Sequence, residues 1–380
     1  MQLVLTEDQE LIAKTAADFV AEKSPIARVR ELRDSADATG FSRPLWQEMA
    51  ELGWVGIPFP ESVGGAGLGL AELAVVMEAL GRSLAPEPFL STVLLGGQTI
   101  LRGGTEDQRG AWLPGVVDGS SILSLAYQEA SSRYELRAVT CQARASGDGF
   151  VLSGEKTQVL DAHVADAILV SARTSGGPRD AHGISVFRVP ANAKGLEVLR
   201  QARLDGRNAA IVRLHGVEAS RDDVIGEVDE AARLLEDVAD LATAGLCAEM
   251  LGGMSQAFEM TLEHLKARQQ FEVPIGTFQA LKHRAADVFI EIELARSAVM
   301  AAARALDSRS DEARQLVSLA KARCSDAYLQ AANEGVQMFG GVGMTDEYEI
   351  GFFLKRARAA EMTLGDAAFH RDRWARSSGY

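Results

Sequence analysis

A double switch of hydrophobic period constrains this chain more than any other feature. From Thr6, a residue type suited to a helix N-cap, Leu11, Ile12, Phe19 and Val20 recur at helical spacing, and helical runs continue at "RPLWQEMAELGW" and "LAELAVVMEALGRSL". Past residue 120 the pattern changes. "GFVLSGEK", "DAILVSART", "GISVFRVP", "LEVLRQ" and "AAIVRLHGVE" are short, rich in β-branched residues and separated by Gly, Asp, Asn or Pro. Helical periodicity returns from Asp229 to Ala267, resumes after "VPIG", and runs again from Glu312 to Phe339. Helices this long pack as a bundle. The predicted fold is α+β and multidomain: an N-terminal helical domain over 1–120, a central antiparallel β domain over 121–227, and a C-terminal four-helix bundle over 228–380.

At 380 residues with 47% hydrophobic and 24% charged residues, the chain can bury large cores, which excludes disorder. The formal charge of -14 argues against non-specific nucleic-acid binding, leaving a small molecule or a protein as partner. Cys141, Cys247 and Cys324 are far apart and have no CxxC or His-rich neighbour, so no metal site or disulfide framework is expected. The N-terminal stretch is acidic and amphipathic, unlike a secretory signal or membrane span, and the protein reads as cytoplasmic.

Chemistry concentrates at two helix breaks. In "RQQFEVPIGTFQ" the Arg268 guanidinium offers planar paired donors suited to a diphosphate, and Phe271 and Phe278 supply apolar walls. Gln279 and, in "QMFGGVGM", Gln337 can bond polar edges or phosphate, while Gly340 and Gly341 let backbone N–H groups approach phosphate oxygens. Taken alone, the first stretch is equally a structural corner with Arg268 capping a helix C-terminus. "GGAGLG" at residues 64–69 lacks the GxGxxG spacing and has no βαβ unit around it, so it is not read as a dinucleotide fingerprint.

With the α-β-α order, "RQQFEVPIGTFQALKHRAAD" and "QMFGGVGM" resemble the acyl-CoA dehydrogenase family, FAD enzymes of this plan, over nearly the whole chain. "CAEMLGG" and "TLGDAAFH" look most like the small subunit of pimeloyl-CoA dehydrogenases. The resemblance implies FAD as cofactor, an acyl-CoA substrate and an electron-transfer flavoprotein as acceptor. It also implies that Arg268, Phe271, Phe278, Gln279, Gln337, Gly340 and Gly341 reach across an interface to grip the ADP part of a neighbouring subunit's FAD.

The chain departs from the family where a subunit holds its own flavin ring. Against the family's "TEPGAGSD", Trp-Ile-Thr and "YEGTSQ" patterns stand "QEASSRYE", "GEKTQVLD" and "TLGDAA". Gln128 opens the first, Gln158 replaces the tryptophan, Leu160 the threonine, Leu364 the catalytic glutamate and Asp366 the threonine after it. The half given to a neighbour is kept and the half kept for itself is altered. That pattern suggests a heterotetramer with a second acyl-CoA dehydrogenase-like subunit. The alternative is a homo-oligomer whose divergent pocket still works, with Gln158, Leu160 and the backbone of Tyr127 to Ala130 lining the ring.

Leu364 cannot remove an α-proton, although its backbone N–H can still bond a thioester oxygen. Glu249 is the best substitute base, sharing a helix stripe with small or apolar residues such as Leu235, Val238, Gly252 and Gly253. The competing reading pairs Glu249 with an arginine of another helix. Asp366 is the weaker substitute, being equally a cap or turn residue. Two functions are therefore carried forward: a dehydrogenase subunit with an atypical base, and a non-catalytic subunit that supports a partner's FAD.

Overall fold

The computed structural model describes residues 4–380, so the first three residues of the N-terminal stretch lie outside it. Six helices come first: α1 (Glu7–Lys23), α2 (Ala27–Asp34), α3 (Arg43–Glu51), α4 (Leu70–Arg82), α5 (Gln98–Gly103) and α6 (Glu106–Val117). Thr6 and Gln9 form a reciprocal capping box at the start of α1, as Thr105 and Gln108 do at α6. Before α5, Phe89–Gly97 winds as a fully buried π-helix. A Cβ on Gly97 would sit 2.5 Å from the Phe59 ring, so only glycine fits there.

The middle of the chain forms one sheet. Its strands are β1 (Leu123–Ala126), β2 (Gln142–Ser146), β3 (Gly149–Leu160), β4 (Ala167–Arg173), β5 (Ile184–Pro190), β6 (Leu196–Gln201), β7 (Ala209–Ala219) and β8 (Val224–Ile225). The order is β6-β7-β3-β2-β4-β5-β8, with β1 added on β4. Hairpin connections make most pairs antiparallel, while β1 lies parallel to β4, from Leu123 opposite Ala167 to Ala126 opposite Val170. Every residue of β4 is buried, and the Phe150 and Phe187 rings meet edge to face with centroids 5.1 Å apart.

The helical part opens with α7 (Ala231–Ala267), followed by a hairpin of β9 (Gln269–Gln270) and β10 (Val273–Pro274), then α8 (Gln279–Asp307), α9 (Ala313–Phe339), α10 (Ile350–Met362) and α11 (Ala367–Ser377). Asp229 stays outside α7. Its φ is 72° and its carboxylate accepts from Thr174 Oγ1 at 2.6 Å and Ser175 Oγ at 2.8 Å.

By contacts, the chain divides into two compact units. One comprises the chain up to Asp34, Gly69–Ala85 and Thr243–Tyr380; the other comprises Ser35–Leu68 and Pro86–Ala242. Inside the first unit α4 and α7 cross at backbone contact distance. A Cβ on Gly252 would lie 1.9 Å from the Glu78 carbonyl oxygen, and one on Gly81 would lie 2.0 Å from that of Glu249. Inside the second, Arg173 is buried and its guanidinium donates to the carbonyls of Arg137 (2.8 Å), His182 (2.9 Å), Asp180 (3.0 Å) and Pro178 (3.1 Å). Arg173→Met takes from the Asp180 and His182 carbonyls their side-chain donor and is expected to loosen the loop after β4. Hydrogen exchange should speed up over residues 174–183 while β3 stays protected.

Candidate functional site

The two glycine- and arginine-bearing breaks come together in space. At the end of α7 the Arg268 N–H closes the last helical turn on the His264 carbonyl at 2.8 Å, and the Ile275 N–H returns to the Arg268 carbonyl at 2.8 Å, closing the hairpin. One turn before Arg268, the His264 ring stacks on Phe339 at 4.1 Å and 14°, and Phe339 is the last residue of α9, just before Gly340. Tyr348 closes the cluster edge-on to both rings. Burial, with the neighbouring Arg268 charge, holds the His264 pKa below its ordinary value, so the ring stacks as a neutral imidazole.

The surroundings of the Arg268 side chain differ from those of a capped helix end. Arg268 is exposed and makes no side-chain hydrogen bond or ion pair among the described residues, so it does not cap α7 with its side chain. Phe271 is 86% exposed and Phe278 37%, with ring centroids 6.2 Å apart, which is too open for two core phenylalanines. Gln279 begins α8, and both it and Gln337 are exposed. Gly340 has φ 69°, and neither it nor Gly341 has an atom within 4 Å of where a Cβ would lie, leaving the backbone open to a ligand. A free guanidinium, two amides, an aromatic pair and an open diglycine fit the diphosphate and the adjoining rings of a dinucleotide.

Phe271 and Glu272 occupy the tip of the hairpin at φ 55° and 66°. Two consecutive left-handed residues make a tight turn of the primed kind, and glycine takes that conformation without strain. Glu272→Gly is expected to raise stability by about 1 kcal/mol, read as a higher urea midpoint at unchanged slope.

The loop matched to the flavin-ring region is built on a buried ion pair that the sequence reading missed. Glu129 accepts from Lys156 Nζ at 2.8 Å and from the Thr140 and Cys141 N–H groups at 2.9 and 3.0 Å, and Lys156 Nζ also bonds Ser171 Oγ at 3.0 Å. Burial works against the Glu129 charge. Lys156, the Thr140 hydroxyl and the Cys141 N–H outweigh it and hold the carboxyl below the usual range. Gln128 is half-buried and its carbonyl accepts the Thr157 N–H at 2.8 Å. Gln158 is exposed at φ 54°, and Leu160 is half-buried. The frame is rigid, but its side chains at these points are amides and an alkyl group.

Glu249 has the paired geometry of its competing reading. Both carboxylate oxygens of Glu249 lie on Arg356, Oε1 2.9 Å from Nε and Oε2 3.1 Å from Nη2, with each side chain only 8% exposed. A carboxylate gripped this way joins α7 to α10 and is not poised for a substrate proton, so the paired alternative holds. Of the glycines beside it, Gly252 serves the α4–α7 crossing and Gly253 packs against the Tyr328 ring of α9, so neither opens a pocket. Asp366 is the N-cap of α11, accepting from the Phe369 N–H at 2.8 Å.

Between them Leu364 and Gly365 adopt φ 60° and 112°. Buried Lys321 holds the loop by donating to the carbonyls of Gly365 at 2.6 Å and Glu361 at 2.8 Å, while His370 Nε2 donates to that of Leu364 at 3.0 Å. Burial brings the Lys321 pKa down to about 8 and that of His370 to about 3. For His370 the unfolded ring gains a proton that the folded ring refuses. Stability should therefore fall as pH drops below about 6.5, by up to about 1.4 kcal/mol per pH unit from this group. Urea midpoints at pH 7 and pH 5 measure the slope, and His370→Gln should flatten it.

Comparison with known proteins decides what this assembly is. Models of the acyl-CoA dehydrogenase N-terminal, middle and C-terminal domains match residues 6–120, 124–216 and 234–379. The chain belongs to the acyl-CoA dehydrogenase family. It is 31% identical to acyl-CoA dehydrogenase FadE27 of Mycobacterium tuberculosis over 86% of each chain. Among solved structures it resembles a variant of the Tcur3481-Tcur3483 steroid ACAD (32% identity, TM-score 0.87, 98% of each chain). It also resembles the ChsE4-ChsE5 complex of Mycobacterium tuberculosis (29% identity, TM-score 0.89, 100% of this chain and 99% of that one). The α-β-α plan expected from the sequence is thus the acyl-CoA dehydrogenase fold, that of an FAD-dependent family of oxidoreductases.

For an acyl-CoA dehydrogenase, the residues that sequence reasoning missed are those that position others: Glu129, Lys156, His264, Lys321, Arg356 and His370. One of them left a trace. Lys156 shares strand parity with the inward-facing Phe150 and Leu152 of β3, and an inward lysine demands a partner.

Proposed function

We propose that this chain is the supporting subunit of a mixed acyl-CoA dehydrogenase in the cytoplasm, akin to the small subunit of pimeloyl-CoA dehydrogenases. Across an interface, Arg268, Gln279, Gln337, Gly340 and Gly341 hold the ADP part of an FAD whose flavin ring and catalytic base belong to an unlike, related subunit. The supported enzyme introduces a double bond α,β to a CoA thioester and passes electrons to an electron-transfer flavoprotein; FAD, when bound, supplies the hydride acceptor. The decisive observation is the fate of the acids. Glu249 is tied to Arg356, Asp366 caps α11 and Leu364 has no acid, while the clamp arginine, Arg268, is exposed and has no ion pair among the described residues. The likeness to two solved assemblies whose names join two proteins supports the mixed reading.

In this reading Arg268 supplies paired donors to the diphosphate, and the glycines admit it to the backbone. Phe271 and Phe278 exclude water beside it. A proton is abstracted by the partner's carboxylate, not by this chain.

Anaerobic mixing of the mixed oligomer with an acyl-CoA tests this. With Glu249→Gln or Asp366→Asn in this chain, bleaching of the flavin per folded holoenzyme should stay near the wild-type rate. A loss of about 10²–10⁴-fold in either variant would return the base to this chain.

A further inference from the structure

We propose that Arg30, Arg33 and Asp346 are positioning residues that latch the diglycine turn, holding the Gly340 and Gly341 backbone where a diphosphate would meet it. The inference rests on reading that turn as part of the clamp. Gly340 has φ 69° and ψ -146°, at the edge of a region that essentially only glycine occupies and that persists only where the surroundings enforce it. Packing within the turn does not enforce it. Of Gly340–Met344 only Gly343 is buried, and Met344 is 79% exposed.

The restraint comes from just beyond the turn and from α2, all within one compact unit. The Thr345 N–H and Oγ1 both donate to the Val342 carbonyl, at 3.0 and 2.7 Å, so fixing residue 346 also fixes the turn. Arg33 grips the Asp346 carboxylate with both Nη atoms at 2.7 Å, while its Nε donates to Asp34 at 2.7 Å. Arg30 Nη1 donates to Asp346 Oδ2 at 2.7 Å and also to the Asp346 main-chain carbonyl. That last bond holds the backbone itself, which a pairing of side chains alone would not do. α2 buries none of its own residues, so helix packing does not aim the arginines; Phe352 does. Both guanidiniums lie over its ring, 5.0 and 5.3 Å from the centroid, and Phe352 is only 8% exposed on α10. Hydrogen bonding to Arg33 holds the Asp346 pKa down to about 2, so the carboxylate is charged at neutral pH. Exposed ion pairs add little to global stability, so loss of the latch should be felt in the turn and not in the fold.

Hydrogen exchange over residues 340–345 of the purified chain and flavin retention in the mixed oligomer test this together. In Asp346→Ala, and in Arg30→Met combined with Arg33→Met, exchange there should speed up and FAD retention should weaken about fivefold, at an unchanged urea midpoint. All three substitutions together should do no more than either set, because both remove the same latch. Asp346→Glu keeps the charge and should recover part of the retention that Asp346→Ala loses. Unchanged exchange over 340–345 overturns the inference, as does a gain confined to residues 24–36, which would mean that the arginines only tie down α2. Losses of FAD that add up in the combined variant overturn it too. If exchange speeds up while FAD is fully retained, and Arg268→Ala still releases it, the inference alone fails. If Arg268→Ala retains FAD as well, the clamp reading fails and the inference with it.

Discussion

Arg356→Ala is expected to destabilise the fold by about 3–5 kcal/mol, the largest effect of any single substitution considered for this chain. The reason is asymmetry. Arg356 and Glu249 are each 8% exposed and joined by two hydrogen bonds, and removing the guanidinium strips a buried carboxylate of its main counter-charge. The cavity left by the long side chain adds to the cost. Removing both charges behaves differently: Glu249→Gln with Arg356→Met should recover much of the loss, because two groups that no longer need each other's charge can stay buried at lower cost. Urea unfolding of the wild type, Glu249→Gln, Arg356→Met and the double variant forms a double-mutant cycle. A loss under 1 kcal/mol in Arg356→Ala would mean that the pair contributes little and that Glu249 is stabilised by other groups.

The second large effect falls on the cofactor. Arg268→Ala should release FAD from the mixed oligomer, with retention weakened by about 1.5–3 kcal/mol, or roughly 10- to 150-fold, as a charge-assisted bidentate contact is lost. The fold should be unaffected, since the Arg268 side chain makes no hydrogen bond or ion pair among the described residues. Dialysis followed by the flavin-to-protein absorbance ratio reads the first part and the urea midpoint the second. Full flavin retention in the variant contradicts the clamp.

The two predictions also mark where the sequence was legible. The fold was readable because its signals are local: the short β-branched runs "DAILVSART" and "GISVFRVP" became β4 and β5, and the capping pattern at Thr6 became the start of α1. β1 and β2 escaped notice for the same reason. "LSLA" is only four residues and buried on both faces, and "QARAS" is mostly exposed and polar, so neither shows a period. The two helix breaks that carry the proposed clamp were readable because their residues fall within short motifs. The partner of Glu249 was not legible, because a helix stripe reveals what shares a face but not what arrives from another helix, and Arg356 is more than a hundred residues away in sequence. Lys321 and His370 were hidden for another reason: they hold the Leu364 loop through backbone carbonyls and so leave no pattern in the residues they hold.

Visible absorbance of the purified chain tests the central claim most directly: first alone, and then after assembly with the related acyl-CoA dehydrogenase subunit produced in the same cells. The account predicts a colourless chain, and a flavin spectrum that appears only in the mixed oligomer and bleaches when an acyl-CoA is added under anaerobic conditions. A chain that is yellow by itself, with one FAD per protomer bleached by an acyl-CoA, would contradict it.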